Sequence, residues 1–315
     1  MKKQTRPLSL ILLCLILSCL SCGTKGDPTL KSFVKPDPVT EVRALHREGE
    51  IIISWSYPRA KRETIQGFLV EKSENGSFRK TASLKPDSSE YRDRDFLEGR
   101  EYTYRIRAVS LRDLLSDDSP LLKVRPAVLP PSPKGLSYLL GPDSLEVRWT
   151  KGAEGVLYNI YRKKGSAPYQ QLPVNREPLA EASFRDRVET AVPVYYTVRP
   201  LLPTELRDEG FPSEELVVDP ASFVPSSPSG LRYIPSDKGV YLTWTENEAS
   251  WSRGYRIYRR REGESLFAAI GESSVPAFHD REPAAGKVAY FVTVMGPGKE
   301  SGPSEIVETE KREEQ

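Results

Sequence analysis

Beyond residue 22 the sequence contains no cysteine, since Cys14, Cys19 and Cys22 are the only three in 315 residues. The remainder of the chain therefore has no disulfide, and it lacks a thiolate for zinc binding or nucleophilic attack. Histidine is almost as scarce, with His46 and His279 alone, so a metal centre or a nucleophile with a histidine base has too little raw material. Both histidines are expected on surface strands or turns. Charge of one sign is missing as well: 46 Lys and Arg face 44 Asp and Glu, and Lys2, Lys3 and Arg6 lie in the extreme N-terminal segment. The rest is balanced to within a single charge, which excludes a global electrostatic footprint for nucleic acid. Gly296 to Gly302, read GPGKESG, lacks the spacing of a phosphate loop and reads as a hairpin turn. These absences predict a non-enzymatic protein with no metal and no cofactor.

What the sequence has in quantity is proline and glycine, 27 and 21 residues, in a chain of mean hydropathy −0.49. That composition predicts a loop-rich, all-β architecture. The one long apolar run, Leu8 to Leu20, follows the positive group Lys2, Lys3 and Arg6. It has the length of a signal-peptide core and is too short to span a bilayer comfortably at ~1.5 Å per helical residue. Residues 1–21 are therefore expected to be an export signal.

Cys19-Leu20-Ser21-Cys22-Gly23 resembles the lipobox of bacterial lipoproteins, in which a small residue precedes a cysteine that is acylated on sulfur. The resemblance implies Cys22 as the lipidated residue, with a palmitate-type anchor as the membrane partner. The overlapping frame Ile16-Leu17-Ser18-Cys19 keeps Cys19 as the alternative. Two or three acyl chains, at ~0.8 kcal/mol per buried CH₂, anchor stably where one does not. Gly23 stands where an aspartate would direct inner-membrane retention, so the resemblance implies the outer membrane. Residues 22–35 read as the lipidated cysteine and a flexible tether.

The remaining sequence repeats itself. Pro38, Pro133 and Pro228, Trp55, Trp149 and Trp244, and Asp93, Asp186 and Asp280 recur at a period of about 95 residues, near the ~100 of an immunoglobulin-like sandwich and far from solenoid periods. Alternating runs end at each tryptophan: Ile51, Ile53, Trp55; Leu145, Val147, Trp149; Val240, Leu242, Trp244. Further alternating strands begin at Gly67-Phe68, Leu157-Tyr158 and Gly254-Tyr255, and at Tyr104, Tyr196 and Tyr290. The repeated aspartates sit in different copies, cannot converge on one site, and read as turn residues.

The buried tryptophan on the second strand, the aromatic-led third strand, the tyrosine-bearing sixth strand and the absence of an inter-sheet disulfide resemble the fibronectin type III family. The resemblance implies three tandem sandwiches at 36–127, 128–222 and 223–308, followed by a charged, disordered tail at 309–315. Short proline-rich links at 128–133 and 223–228 predict semi-rigid spacing. Pro200 is expected to make its strand bulge or stop.

Two features escape the repeat pattern, and both fall in the third copy. Trp251 is the one tryptophan outside the period, in a loop where an exposed indole would be a contact residue and a buried one would pack over the end of the sandwich. Alternation puts Arg256, Tyr258 and Arg260 on the outer face of the next strand, a stripe suited to an anionic glycan or an acidic protein segment, or neutralised by Glu262 and Glu264. The functional expectation is a lipid-anchored cell-envelope lipoprotein acting as a protein-binding or spacer module. The alternative is a carbohydrate-binding or adhesive surface lipoprotein that uses Trp251, Arg256, Tyr258 and Arg260.

Overall fold

The computed structural model describes residues 34–282 and 286–310; Cys22, the segment 1–21 expected to be an export signal, and the tail beyond Glu310 lie outside them. Within that range the protein is all-β. The first set of strands is β1 (Thr40–Arg47), β2 (Glu50–Ser56), β3 (Ile65–Ser73), β4 (Arg79–Leu84), β5 (Glu90–Asp93), β6 (Tyr102–Ser110) and β7 (Leu122–Val124). The second is β8 (Ser137–Leu140), β9 (Ser144–Arg148), β10 (Leu157–Lys164), β11 (Ser183–Arg187), β12 (Val194–Leu202), β13 (Asp208–Glu209) and β14 (Leu216–Val218). The third is β15 (Arg232–Ser236), β16 (Gly239–Thr243), β17 (Gly254–Arg261), β18 (Ala268–Ser273), β19 (Ala277–Asp280), β20 (Lys287–Met295) and β21 (Val307–Glu310).

The same two strand sets recur. One runs β1-β2-β5, β8-β9-β11 or β15-β16-β19; the other runs β4-β3-β6-β7, β10-β12-β14 or β18-β17-β20-β21. β13 lies beside β12 and also pairs in parallel with the end of β1, Arg47 opposite Glu209, so that β10-β12-β13-β1-β2-β5 is one continuous sheet to which β14 adds at β12. Each pair of strand sets closes over a tryptophan placed edge-on against the aromatic that leads the third strand: Trp55 on Phe68 at 5.5 Å, Trp149 on Tyr158 at 5.2 Å and Trp244 on Tyr255 at 5.1 Å. Edge-to-face packing satisfies the ring quadrupoles. The described residues divide into two compact units, the first comprising residues 34–44, 52–96 and 100–125, the second 45–51, 97–99, 126–282 and 286–310.

The second copy departs from the other two beside its third strand. β3 and β17 are each flanked by a partner, β4 or β18, which approaches a glycine. A Cβ on Gly67 would stand 1.8 Å from the Leu84 carbonyl oxygen, and one on Gly254 2.6 Å from that of Ser273, both at positive φ. Only glycine fits there. Leu157 occupies the equivalent place, and residues 165–182 form no strand; they touch β10 through Val174 N–H on the Ile160 carbonyl, a Tyr158–Leu179 bridge, and the Asn175 side chain on the Ile160 N–H.

Three local features complete the sequence pattern. Ser119, Ser213 and Ser304 each accept a backbone N–H from the sixth strand, from Ile106, Val198 and Val292, at 3.0 Å in every case. Those hydroxyls satisfy ladder donors that no strand reaches, which accounts for the recurring serine–proline pairs. Pro200, contrary to expectation, neither stops nor bulges β12, which continues to Leu202 with Tyr158 opposite Pro200. The reason is register: the Tyr158 backbone groups bond Leu179 on the other side, so the missing proline N–H costs the β10–β12 ladder nothing.

The repeated aspartates are more than turn residues. Asp93 accepts from Lys72 Nζ at 2.8 Å and the Tyr104 hydroxyl at 2.6 Å; Asp186 accepts from Arg162 and the Tyr196 hydroxyl; Asp280 accepts from Arg259 at 2.7 Å and the Tyr290 hydroxyl at 2.8 Å. Each also takes a backbone N–H from one or two residues on, which is the turn role. Burial first, and the hydrogen bond to or charge of the aspartate second, raise all three phenols well above the ordinary tyrosine range.

Candidate functional site

The outer face of the β17–β20 pair carries most of the expected site. Tyr255 and Ile257 are buried, and Arg256, Tyr258 and Arg260 alternate with them on the opposite face. Tyr258 stacks on its cross-strand partner Phe291 at 4.5 Å, Phe291 meets Phe267 at 4.7 Å, and the Arg260 guanidinium lies 4.8 Å from the Phe267 ring. Arg256 gives Nε and Nη2 to Glu272, at 3.1 and 2.7 Å, and Nη1 to Glu300. Glu300 also accepts the Tyr258 hydroxyl and Thr293 Oγ1, both at 2.8 Å. Burial, then the Glu300 hydrogen bond, raise the Tyr258 phenol. Arg256 is thus neutralised by Glu272 and Glu300, and not by Glu262 or Glu264, because cross-strand neighbours lie closer to an outward side chain than residues further along its own strand.

Trp251 does not join that face. Its indole is 8% exposed, packs edge-on against Phe223 at 5.5 Å, and donates Nε1–H to the Gly141 carbonyl at 3.0 Å. It belongs to the cluster containing Trp149, Tyr158 and Val198 of the second copy. Ser250 fixes the same loop by donating its N–H and hydroxyl to the Pro142 carbonyl. With its N–H spent on Gly141 and little of its surface exposed, Trp251 takes the packing role of the two the sequence left open, and what remains exposed borders a cavity of about 420 Å³ with Pro142, Ser226 and Asn247.

His46 also departs from its expected surface position. It is fully buried and hydrogen-bonds Asp208, which receives Thr204 Oγ1 and the Ala127 N–H as well. Burial opposes ionisation of Asp208, but the hydrogen bond from His46 and those from Thr204 and Ala127 outweigh it and hold the carboxyl below its usual range. His279 lies half-buried on β19, stacked on Tyr241 at 4.0 Å. Among the described residues no cluster of three His, Cys, Asp or Glu side chains is arranged to hold a metal ion.

A second site was not anticipated from the sequence. A cavity of about 300 Å³ opens on the outer face of the β10–β12 pair, and all its lining residues, Arg47 included, belong to the second unit. At one end the Arg47 and Arg199 guanidiniums lie 5.7 and 5.4 Å from the Tyr161 ring. Arg47 is held by Glu209 and by the Tyr161 hydroxyl, Arg199 by Glu48 and the Gly210 carbonyl. At the other end Glu215 accepts the Tyr169 hydroxyl at 2.7 Å and pairs with Lys163 at 2.8 Å, the ammonium lying between the Tyr169 and Tyr195 rings. The Lys163 hydrogen bond, then that of Tyr169, lower the Glu215 carboxyl. Tyr169 and Gln170 come from residues 165–182, where the other copies have β4 and β18. The signal available in the sequence was Leu157 in the place of Gly67 and Gly254.

No family model matches the chain. Among solved structures it is similar to the crystal structure of chicken CNTN1 FN1-FN3 domains, at 14% identity over 88% of this chain and 99% of that one, with a TM-score of 0.27. The threefold recurrence of paired sheets, tryptophan cores and Asp–Tyr bonds, and not that likeness, makes this an all-β protein of immunoglobulin-like, fibronectin type III-like sandwiches.

Proposed function

We propose that the chain is a lipid-anchored lipoprotein of the cell envelope, without enzymatic activity, whose three sandwich modules act as a spacer or protein-binding element. The anchor part rests on the sequence of the first 22 residues. The spacer part is supported chiefly by one observation: Trp251, carried by the third copy, completes the core of the second. Two modules that share core residues resist bending at their link, which is what a spacer requires. A Cβ on Gly298 would come 2.6 Å from Ala221, so the β20–β21 turn also sits directly on the linking segment. The self-neutralised Arg256–Glu272–Glu300 ladder fits a rigid surface better than an anion receptor.

Metabolic labelling with a clickable fatty acid tests the anchor. Cys22→Ser should lose the label and move to the soluble fraction; undiminished label moves the anchor to Cys19, and no label on wild type ends the lipoprotein reading. Proteolysis of intact and permeabilised cells then reports the side of the membrane. The adhesive alternative draws on the half-buried Tyr258, Phe291 and Phe267 cluster. It requires Arg256→Gln to lower binding on a glycan array, whereas an inert array leaves the spacer.

A further inference from the structure

We propose that the cavity on the outer face of the β10–β12 pair binds a sugar ring carrying a single carboxylate, a uronic-acid-type saccharide. This does not depend on lipid anchoring or on the spacer role. The volume, about 300 Å³, sits at the small end of ligand sites, which run from roughly 300 to 1,000 Å³, and suits one ring better than an extended peptide.

The two ends differ in chemistry. Of five guanidinium donors each, Arg47 gives Nη2 to the Tyr161 hydroxyl and lies in an ion pair with Glu209 through Nε, while Arg199 uses Nη1 for Glu48 and the Gly210 carbonyl. Nη1 of Arg47 and both Nε and Nη2 of Arg199 have no hydrogen-bond partner among the described residues. Their acid partners hold the two side chains in place, so a carboxylate arriving there would find oriented donors without having to order them. The other end presents an acceptor, Glu215. Tyr161, beside the arginines, and Lys163, which holds Glu215 from outside the cavity, are two residues apart on one strand, hence about 7 Å. A carboxylate on one side of a pyranose and hydroxyl donors on the other match that separation and polarity.

Glu215 also sets the ligand's charge, since a phosphate dianion in the same space would meet a carboxylate. The Tyr169 ring and Pro212 supply apolar wall, and Thr197, Ser213 and Gln170 supply polar groups for hydroxyls. Only the second copy can form this site. In the others β4 and β18 occupy the flank from which Tyr169 and Gln170 reach in.

The test is saturation-transfer NMR and calorimetry on the full chain with sodium glucuronate, glucose, acetate and an N-acetylated dipeptide bearing a free carboxylate. Glucuronate should bind, with glucose and acetate each weaker by ~tenfold or more, because each lacks one of the two ends. Arg199→Gln and Tyr169→Ala should each weaken glucuronate by a similar factor, and Gln170→Ala by less. Gln170 is exposed, so that variant guards against loss of fold, as does an unchanged urea midpoint. Arg232→Gln, on exposed β15 of the third copy and outside both faces, should leave the affinity unchanged. Absence of glucuronate binding, equal binding of glucose, preference for the dipeptide, or full affinity in a folded Arg199→Gln variant would each overturn the assignment.

Discussion

The outer faces of the β10–β12 and β17–β20 pairs are built from the same ingredients, arginine, tyrosine and glutamate on alternate residues, and yet offer opposite things to solvent. On the third copy every nitrogen of Arg256 has a carboxylate, and Tyr258 is stacked and hydrogen-bonded. On the second, two arginines line a cavity and are each held by a carboxylate, with guanidinium nitrogens left over. Composition alone does not distinguish these faces. The difference comes from the neighbour of the third strand: a paired β18 brings Glu272 across from Arg256, whereas the irregular 165–182 segment leaves space.

The most damaging way to probe that contrast is through Trp251. As a packing residue, Trp251→Ala should destabilise the protein by ~3 to 5 kcal/mol, read from urea unfolding of the full chain. A midpoint that hardly moves would return Trp251 to the ligand-facing set. Trp149→Ala, at the centre of the same cluster, should cost a similar amount.

Arginines on the two sides of one strand give a sharper measure. Arg259→Met leaves buried Asp280 with only its tyrosine and backbone donors and should cost roughly 3 kcal/mol. Arg256→Met removes a partly exposed pair and should cost under ~1 kcal/mol. Equal losses would mean that the outer ladder is as structural as the inner one.

Acid should act on the cluster around His46. Because the folded-state pKa of Asp208 is depressed, its contribution is complete above the ordinary carboxylate value of ~3.9 and is lost as pH falls below it. Urea midpoints between pH 6 and pH 3 should therefore fall less steeply in Asp208→Asn than in wild type, from a lower starting stability. Parallel curves would assign the acid response to other carboxylates.

The smallest effect is spectroscopic. Tyr104, Tyr196 and Tyr290 have raised pKa values, so they favour the fold below the ordinary phenol value of ~10 and oppose it as pH climbs towards their folded values. An absorbance titration near 295 nm should show exposed tyrosines ionising first and these three only with unfolding. Asp186→Asn should bring one of them down.

Much of the fold was legible because it follows from period-two burial: the three tryptophans, the inward tyrosines and the outward Arg256, Tyr258 and Arg260 all sit where alternation puts them. Pro200 was misread because its effect depends on which side of the strand its missing N–H faces, and that is a matter of pairing, not of sequence. His46 departs from its surface expectation, and the partners of Trp251 stayed open, for a common reason. Both are buried with residues far along the chain, Asp208 for one and Gly141 for the other, and no local pattern reports such partners. The cavity was readable only as an absence, the leucine at 157 where two copies have glycine, and an absence does not say what fills the space.

The seating of Trp251 bears on how the protein comes apart. A core that draws a side chain from beyond residue 223 cannot be complete in a fragment ending there, so the period in the sequence marks repeating units of pattern and not of folding. A recombinant piece covering residues 128–222 would lack both Trp251 and Phe223 of that core and leave the turn at Gly141 without its indole partner, and should melt early or aggregate. One covering 128–308 should unfold in a single cooperative transition. Cooperative melting across the link ties the fate of the two sandwiches together, so that a proteolytic nick in the 247–251 loop would loosen both.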